Sequence, residues 1–77
     1  MAELPSVSGK EAITAFGKVG FRFARQKGSH VVLKKDNYPL VLSVPLHGTL
    51  KPGTLRQLIR DASISVEAFC DMLKTAP

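Results

Sequence analysis

The sequence is poor in the residues on which several classes of protein depend. It contains one cysteine, Cys70, and no tryptophan. A single cysteine excludes an intrachain disulfide, as is typical of cytoplasmic proteins. No apolar run approaches the ~20 residues of a transmembrane helix, and the N-terminus lacks the basic and apolar segments of a signal peptide. We therefore expect a cytoplasmic protein that does not enter a membrane.

Signatures of metal and cofactor binding are also absent. The two histidines, His30 and His47, the cysteine and the dispersed carboxylates show no spacing typical of a metal site. There is no glycine-rich phosphate loop, and no Gly-x-Ser-x-Gly segment of the kind found in serine hydrolases. We expect neither a metal ion nor another cofactor.

The length limits what the chain can build. With 77 residues, we expect residues 1–77 to form one domain. A chain of this size buries only about 60% of its unfolded surface. Little material remains for a deep, walled cavity, so a macromolecule bound on an open face suits the size better than an enclosed metabolite.

Acidic residues are scarce where basic residues are frequent. The net charge is +5, and Asp36 is the only acidic residue between Ala12 and Arg60. A segregated basic surface attracts a phosphate backbone through counterion release. The alternative is a soluble protein that is merely basic. The cations of this segment are Lys18, Arg22, Arg25, Lys27, Lys34, Lys35, Lys51, Arg56 and Arg60.

The pattern of residues predicts one helix, three strands and two further helices. Ser8 and Glu11 have the spacing of a capping box, Pro52 is suited to a first helical turn, and Ser65 is suited to an N-cap. Short turns between the strands predict an antiparallel meander. We therefore expect an α+β two-layer sandwich with the helices on one face of the sheet. The predicted strands are residues 21–26, which alternate as in a half-buried strand, residues 30–35 and residues 40–44.

His30 is the candidate catalytic residue, because it begins the second strand directly after Gly28 and Ser29. A base that removes a 2′-hydroxyl proton allows that oxygen to attack the neighbouring phosphate and cut RNA. The ordinary histidine pKa of about 6.5 suits that role near neutral pH. The alternative is a histidine that only hydrogen-bonds a turn. His47 is a candidate second acid or base, or a phosphate contact. The alternative is a loop histidine without a chemical role.

Basic and polar residues near His30 are candidate RNA contacts. Cations would hold the phosphate and offset the charge of a pentavalent intermediate, and Ser29 would orient the turn. Arg56 lies on a helix, where the usual interpretation is a solvated face. The candidate RNA-binding residues are Arg25, Lys27, Ser29, Lys34, Lys35 and Arg56.

Several fragments, in this order, resemble the HicA family of toxin mRNA interferases. They cover almost the whole chain: Leu4-Pro5, residues 8–11, Gly20-Phe21, residues 25–30, 44–47, 50–55 and 64–69. The resemblance implies a fold similar to the double-stranded RNA-binding domain. It also implies metal-independent and ribosome-independent cleavage of mRNA that requires His30, and a HicB-type antitoxin that masks this surface. Ser63 departs from the family, since many members carry glycine there.

Two further hypotheses remain beside an endoribonuclease toxin. A non-catalytic RNA-binding module on the same fold accounts for the charge equally well, but gives His30 no special role. A regulatory subunit whose basic face meets an acidic protein is the third hypothesis. The resemblance favours the toxin.

Overall fold

A computed structural model describes residues 3–46 and 48–74. The elements follow the predicted order of one helix, three strands and two helices, which confirms the α+β prediction. Within the described ranges, no helix is both long and apolar enough to cross a membrane. The elements are α1 (Gly9–Gly17), β1 (Arg22–Lys27), β2 (His30–Lys34), β3 (Leu42–Pro45), α2 (Pro52–Asp61) and α3 (Val66–Lys74).

The helix starts follow the local sequence signals. At α1, the Ser8 hydroxyl accepts from the backbone N–H of Glu11 at 3.1 Å, and the Glu11 carboxylate accepts from the backbone N–H of Ser8 at 2.8 Å. This reciprocal pair is the predicted capping box. Pro52 lies in the first turn of α2. At α3, Ser65 Oγ accepts from the backbone N–H of Ala68 at 3.0 Å, so the predicted caps are confirmed.

The sheet is an antiparallel meander in the order β1-β2-β3, as predicted. The bounds of β3 differ from the prediction, because this strand begins at Leu42 and includes Pro45. Pro45 pairs with His30 at the end of an edge strand, a position where proline is tolerated. The next backbone hydrogen bond comes from the N–H of Leu46, which donates to the Ser29 carbonyl at 2.7 Å.

All three helices lie on one face of the sheet. That face contributes the buried side chains of Val31 and Leu33 from β2, and β3 contacts both α1 and α2. The rings of Phe16 on α1 and Phe69 on α3 pack 5.1 Å apart between their centroids. The sheet core is completed by Leu42 and Val44 of β3.

The prediction that β1 is half-buried is wrong. Every residue of β1 is exposed, and Phe23 is 61% exposed. Phe21 is buried but precedes the strand. The reason is that β1 is the edge strand farthest from β3, against which α1 and α2 pack. A β-bulge between Phe23 and Arg25 also interrupts the alternation of its side chains. The strand therefore contributes backbone pairing to the sheet, while its side chains are exposed to solvent.

The end of α2 is tied to the β2–β3 connection. The Tyr38 hydroxyl donates to the carbonyl oxygen of Asp61 and lies 2.7 Å from Ser63 Oγ. Ser63 has a φ of 59°, and its N–H donates to the carbonyl of Arg60 while that of Ile64 donates to Ile59. This is the Schellman ending of a helix, which favours glycine where the chain turns left-handed.

Candidate nucleic-acid interface

The sheet face opposite the helices carries the candidate site. Because residues of one strand alternate between faces, His30, Val32 and Lys34 lie opposite the buried Val31 and Leu33. Residues that pair directly across strands share a face, so the register extends this surface onto β1 and β3. We call it the open face. It comprises Arg22, Arg25, Lys27, His30, Val32, Lys34, Ser43 and Pro45.

A two-residue turn brings His30 next to a cation. Gly28 has a φ of 59° and is followed by Ser29, whose φ is not positive. Glycine at the first central position is what a type II′ hairpin turn requires. The turn makes Lys27 and His30 direct cross-strand partners, with Cβ atoms roughly 5 Å apart as in other such pairs. His30 is exposed and Ser29 is half-buried.

The β-bulge decides which residues of β1 join the open face. Phe23 pairs with Leu33, and Arg25 pairs with Val32, so Ala24 is the extra residue between them. Uninterrupted alternation from Phe23 would turn Arg25 and Lys27 towards the helical side. With the bulge, both cations lie on the face of His30. Sequence reasoning missed this bulge, and no residue pattern in β1 announces it.

The charge of the open face is positive around His30. At its far end, Arg22 forms an ion pair with Asp36. Arg25 and Lys27 follow along β1, and Lys34 lies across from Arg22 on β2. Because Asp36 is the only acidic residue of the chain between Ala12 and Arg60, the ion pair leaves the end of the face near His30 as the more strongly positive one.

Two of the candidate RNA-binding residues lie elsewhere. The Lys35 ammonium lies 5.6 Å from the ring centroids of both Phe21 and Tyr38. Arg56 is exposed on α2, in the helical layer. The structure therefore brings Arg25, Lys27 and Lys34 onto the face of His30, with Ser29 in the adjoining turn, and does not bring Lys35 or Arg56 there.

His47 lies outside the described residues. The chain immediately before it is described. Pro45 pairs with His30, and the backbone of Leu46 hydrogen-bonds Ser29. The prediction that His47 is a second acid or base therefore stays a prediction.

The first helix supports the β3 side of the site by direct backbone contact. A Cβ atom added to Gly9 would lie 3.2 Å from the carbonyl carbon of Pro45 and 3.3 Å from Leu46 Cα. The carbonyl oxygen of Pro45 would be closer still, at a separation that real Cβ atoms essentially never show. Sequence reasoning missed this role of Gly9, since a helix-start glycine looks the same whether or not a strand packs on it.

The described residues contain no group of three or more histidine, cysteine, aspartate or glutamate side chains placed to hold a metal ion. One surface hollow, bordered by Pro5, Val7, Lys10 and Leu73 among others, involves the N-terminal segment, α1 and α3 but no residue of the sheet. The open face is therefore where the candidate catalytic residue and the surrounding cations coincide.

The fold and this face define a basic α+β domain similar to the double-stranded RNA-binding domain, with a histidine exposed on its sheet. A family model for the HicA toxin of bacterial toxin–antitoxin systems matches residues 9–64, well over half of the chain. The chain therefore belongs to the HicA toxin family, and membership of a toxin–antitoxin family implies an antitoxin partner. A search of curated proteins finds no match.

Proposed function

We propose that this toxin is a metal-independent and ribosome-independent endoribonuclease that cuts mRNA at the open face. The observation that carries the proposal is the placement of His30, exposed on the central strand and paired directly with Lys27. An imidazole serves as a base near neutral pH, and cations beside it attract the phosphate backbone. An open face admits a long RNA chain, which an enclosed pocket would not.

In the proposed reaction, His30 accepts the proton of an RNA 2′-hydroxyl. The 2′-oxygen forms a bond to the neighbouring phosphorus, and the bond from phosphorus to the 5′-oxygen breaks, which leaves a 2′,3′-cyclic phosphate. The departing 5′-oxygen takes a proton from the His30 imidazolium or from His47. Lys27, the direct cross-strand partner of His30, stabilises the negative charge that accumulates on the phosphoryl oxygens.

The antitoxin partner is proposed to be of the HicB type and to bind the open face. A partner that covers His30 and neutralises the surrounding cations would block RNA access and chemistry together. Charge complementarity would accelerate the association of an acidic partner surface. Since mRNA is the proposed substrate, the cytoplasm is the proposed site of action.

The deciding experiment is cleavage of RNA by the purified chain in the presence of EDTA, with His30→Ala as the test variant. His30 is exposed, so we expect the variant to fold and bind RNA as the parent does, while cleavage falls by at least about 100-fold. Lys35→Ala is the matched control for the loss of a polar side chain away from the open face.

Cleavage by His30→Ala at the parental rate would contradict the proposal. If neither protein cuts RNA and both bind it with equal affinity, the non-catalytic RNA-binding module becomes the better account. Dependence on added divalent metal would contradict the metal-independent reaction.

A further inference from the structure

A depression in the open face lies beside His30. It is lined by Ala24, Arg25, Val32, Lys34 and Val41. Its lining combines apolar side chains with two cations and includes no acidic residue. The cross-strand pairing of Arg25 with Val32 places a cationic and an apolar residue of the depression in one row of the sheet.

The depression is one row away from the candidate catalytic residue. Val32 follows His30 by two residues on the same strand and the same face, a separation of about 7 Å. Lys27 and Arg25 repeat this step on β1, because they pair with His30 and Val32 respectively. A chain bound along the strands would therefore meet the depression immediately before or after His30.

The bulge is what gives the depression its composition. It inserts Ala24, a small residue, at the edge of the depression and returns Arg25 to the open face. Bulges occur often beside active sites, where they redirect a side chain. Val41, which is 50% exposed, extends the floor on the β3 side.

We propose that this depression binds the base of the nucleotide adjacent to the scissile phosphate and thereby influences where the RNA is cut. This subsite rests on the proposed ribonuclease function. Single-stranded RNA is recognised by splayed bases that stack on side-chain planes, including the guanidinium of arginine. The Arg25 guanidinium supplies such a plane, the valines supply an apolar surface, and Lys34 supplies a cation for the phosphate.

Charge and apolarity together favour a nucleotide over an acidic protein segment. Aspartate or glutamate side chains would satisfy Arg25 and Lys34 but would leave Val32 and Val41 uncovered. A nucleotide supplies an anion and a flat ring within one residue, which matches the alternation of cations and valines in the depression.

The test uses tetranucleotides of each single base with 2′-O-methyl groups, which bind but cannot undergo attack by a 2′-hydroxyl. Arg25→Lys keeps the charge and removes the planar guanidinium, and Val41→Ala reduces the floor. Phe23→Ala is the matched control, since Phe23 is an exposed apolar residue that pairs with Leu33 on the other face of the same sheet.

We expect the methyl resonances of Val32 and Val41 to shift as the tetranucleotide binds. Arg25→Lys is expected to weaken binding by about tenfold, as for loss of a stacked base, with an unchanged salt dependence because the charge is retained. Phe23→Ala should bind like the parent. In cleavage of a long RNA, Arg25→Lys should redistribute the cut positions.

Equal tetranucleotide affinity of the parent and Arg25→Lys would overturn the subsite, since charge alone would then explain binding. Valine shifts that arise only with the antitoxin would overturn it in favour of a protein-docking surface. These outcomes are separate from failure of the proposed function. Stacking without any His30-dependent cleavage would refute the ribonuclease, whereas His30-dependent cleavage without stacking would refute the subsite alone.

Discussion

Replacing Gly9 by alanine tests whether the close packing of α1 against β3 supports the site. The new Cβ would lie 3.2 Å from the Pro45 carbonyl carbon and 3.3 Å from Leu46 Cα, and closer still to the Pro45 oxygen. These are backbone atoms, so no rotamer change relieves the overlap. Either α1 or the end of β3 must move, and Pro45 is the cross-strand partner of His30.

The magnitude follows from two opposing effects. Overpacking of a tight contact costs about 1–3 kcal/mol, whereas alanine gains about 1 kcal/mol over glycine within a helix. Gly17→Ala is the matched control, because Gly17 is also in α1 and nothing lies within 4 Å of an added Cβ. We expect Gly17→Ala to be slightly more stable than the parent. Its free energy of unfolding should be about 2 kcal/mol higher than that of Gly9→Ala.

The measurement is thermal unfolding followed by circular dichroism, together with RNA cleavage at a temperature where each variant is folded. A difference of 1 kcal/mol corresponds to about 4–8 °C in Tm for a domain of this size, so the expected separation is easily resolved. Gly9→Ala should also cut RNA more slowly than Gly17→Ala when both are folded. Equal stability and equal cleavage of the two variants would refute the argument that α1 holds Pro45 in place.

Three further outcomes follow from the geometry. Ser63→Gly should be about 1 kcal/mol more stable than Ser63→Ala in urea unfolding, because both variants lose the hydroxyl but only glycine accepts the φ of 59° without strain. Equal stability of the two variants would argue against a left-handed conformation at residue 63. Asp36→Asn removes the ion-pair partner of Arg22, so RNA affinity should rise and its salt dependence should steepen. An RNA titration at several salt concentrations that shows neither change would exclude Arg22 as a phosphate contact. Lys27→Ala should reduce the slope of log affinity against log salt concentration by about 0.7, the value for one phosphate contact on a single strand, and Lys35→Ala should change this slope less. A larger change for Lys35→Ala than for Lys27→Ala would place the RNA away from the open face.

The elements of the fold could be predicted because their signals are local. The capping box of Ser8 and Glu11, the first-turn proline Pro52 and the cap Ser65 each satisfy backbone groups within one turn of helix. Short turns between apolar runs are enough to indicate a meander. The exact bounds of β3 were not predictable, because Pro45 belongs to the sheet only through its pairing with the distant His30.

The burial of β1 could not be predicted from its pattern. Alternation of aromatic and polar residues indicates a half-buried strand only when the pairing is regular and the inner face is covered. Here Ala24 interrupts the pairing, and the inner side of this edge strand is left exposed at Phe23. The orientation of Arg25 depends on that interruption. The bulge arises from the pairing of β1 with β2, and the sequence of neither strand indicates it.

The sequence singles out candidate residues for the site, but it does not predict how they are arranged. His30 shares its face with Val32 and Lys34, a mixed set from which the sequence alone does not decide which face is buried. Packing decides it, because the helices cover Val31 and Leu33. The same limitation applies to the location of Lys35. Its ammonium group lies near the ring of Phe21, and this contact depends on where Phe21 packs in the fold.

The alternation along β2 separates the candidate site from the core in this small protein. Val31 and Leu33 are 4% and 1% exposed and belong to the core, so truncating them would leave cavities that cost several kcal/mol. His30 and Lys34 are exposed on the opposite face and contribute little buried area, and surface substitutions usually change stability by no more than about 0.5 kcal/mol. A variant at His30 that loses cleavage while retaining its unfolding transition would therefore report on the reaction itself, because the strand that presents the imidazole is held in place by its other face.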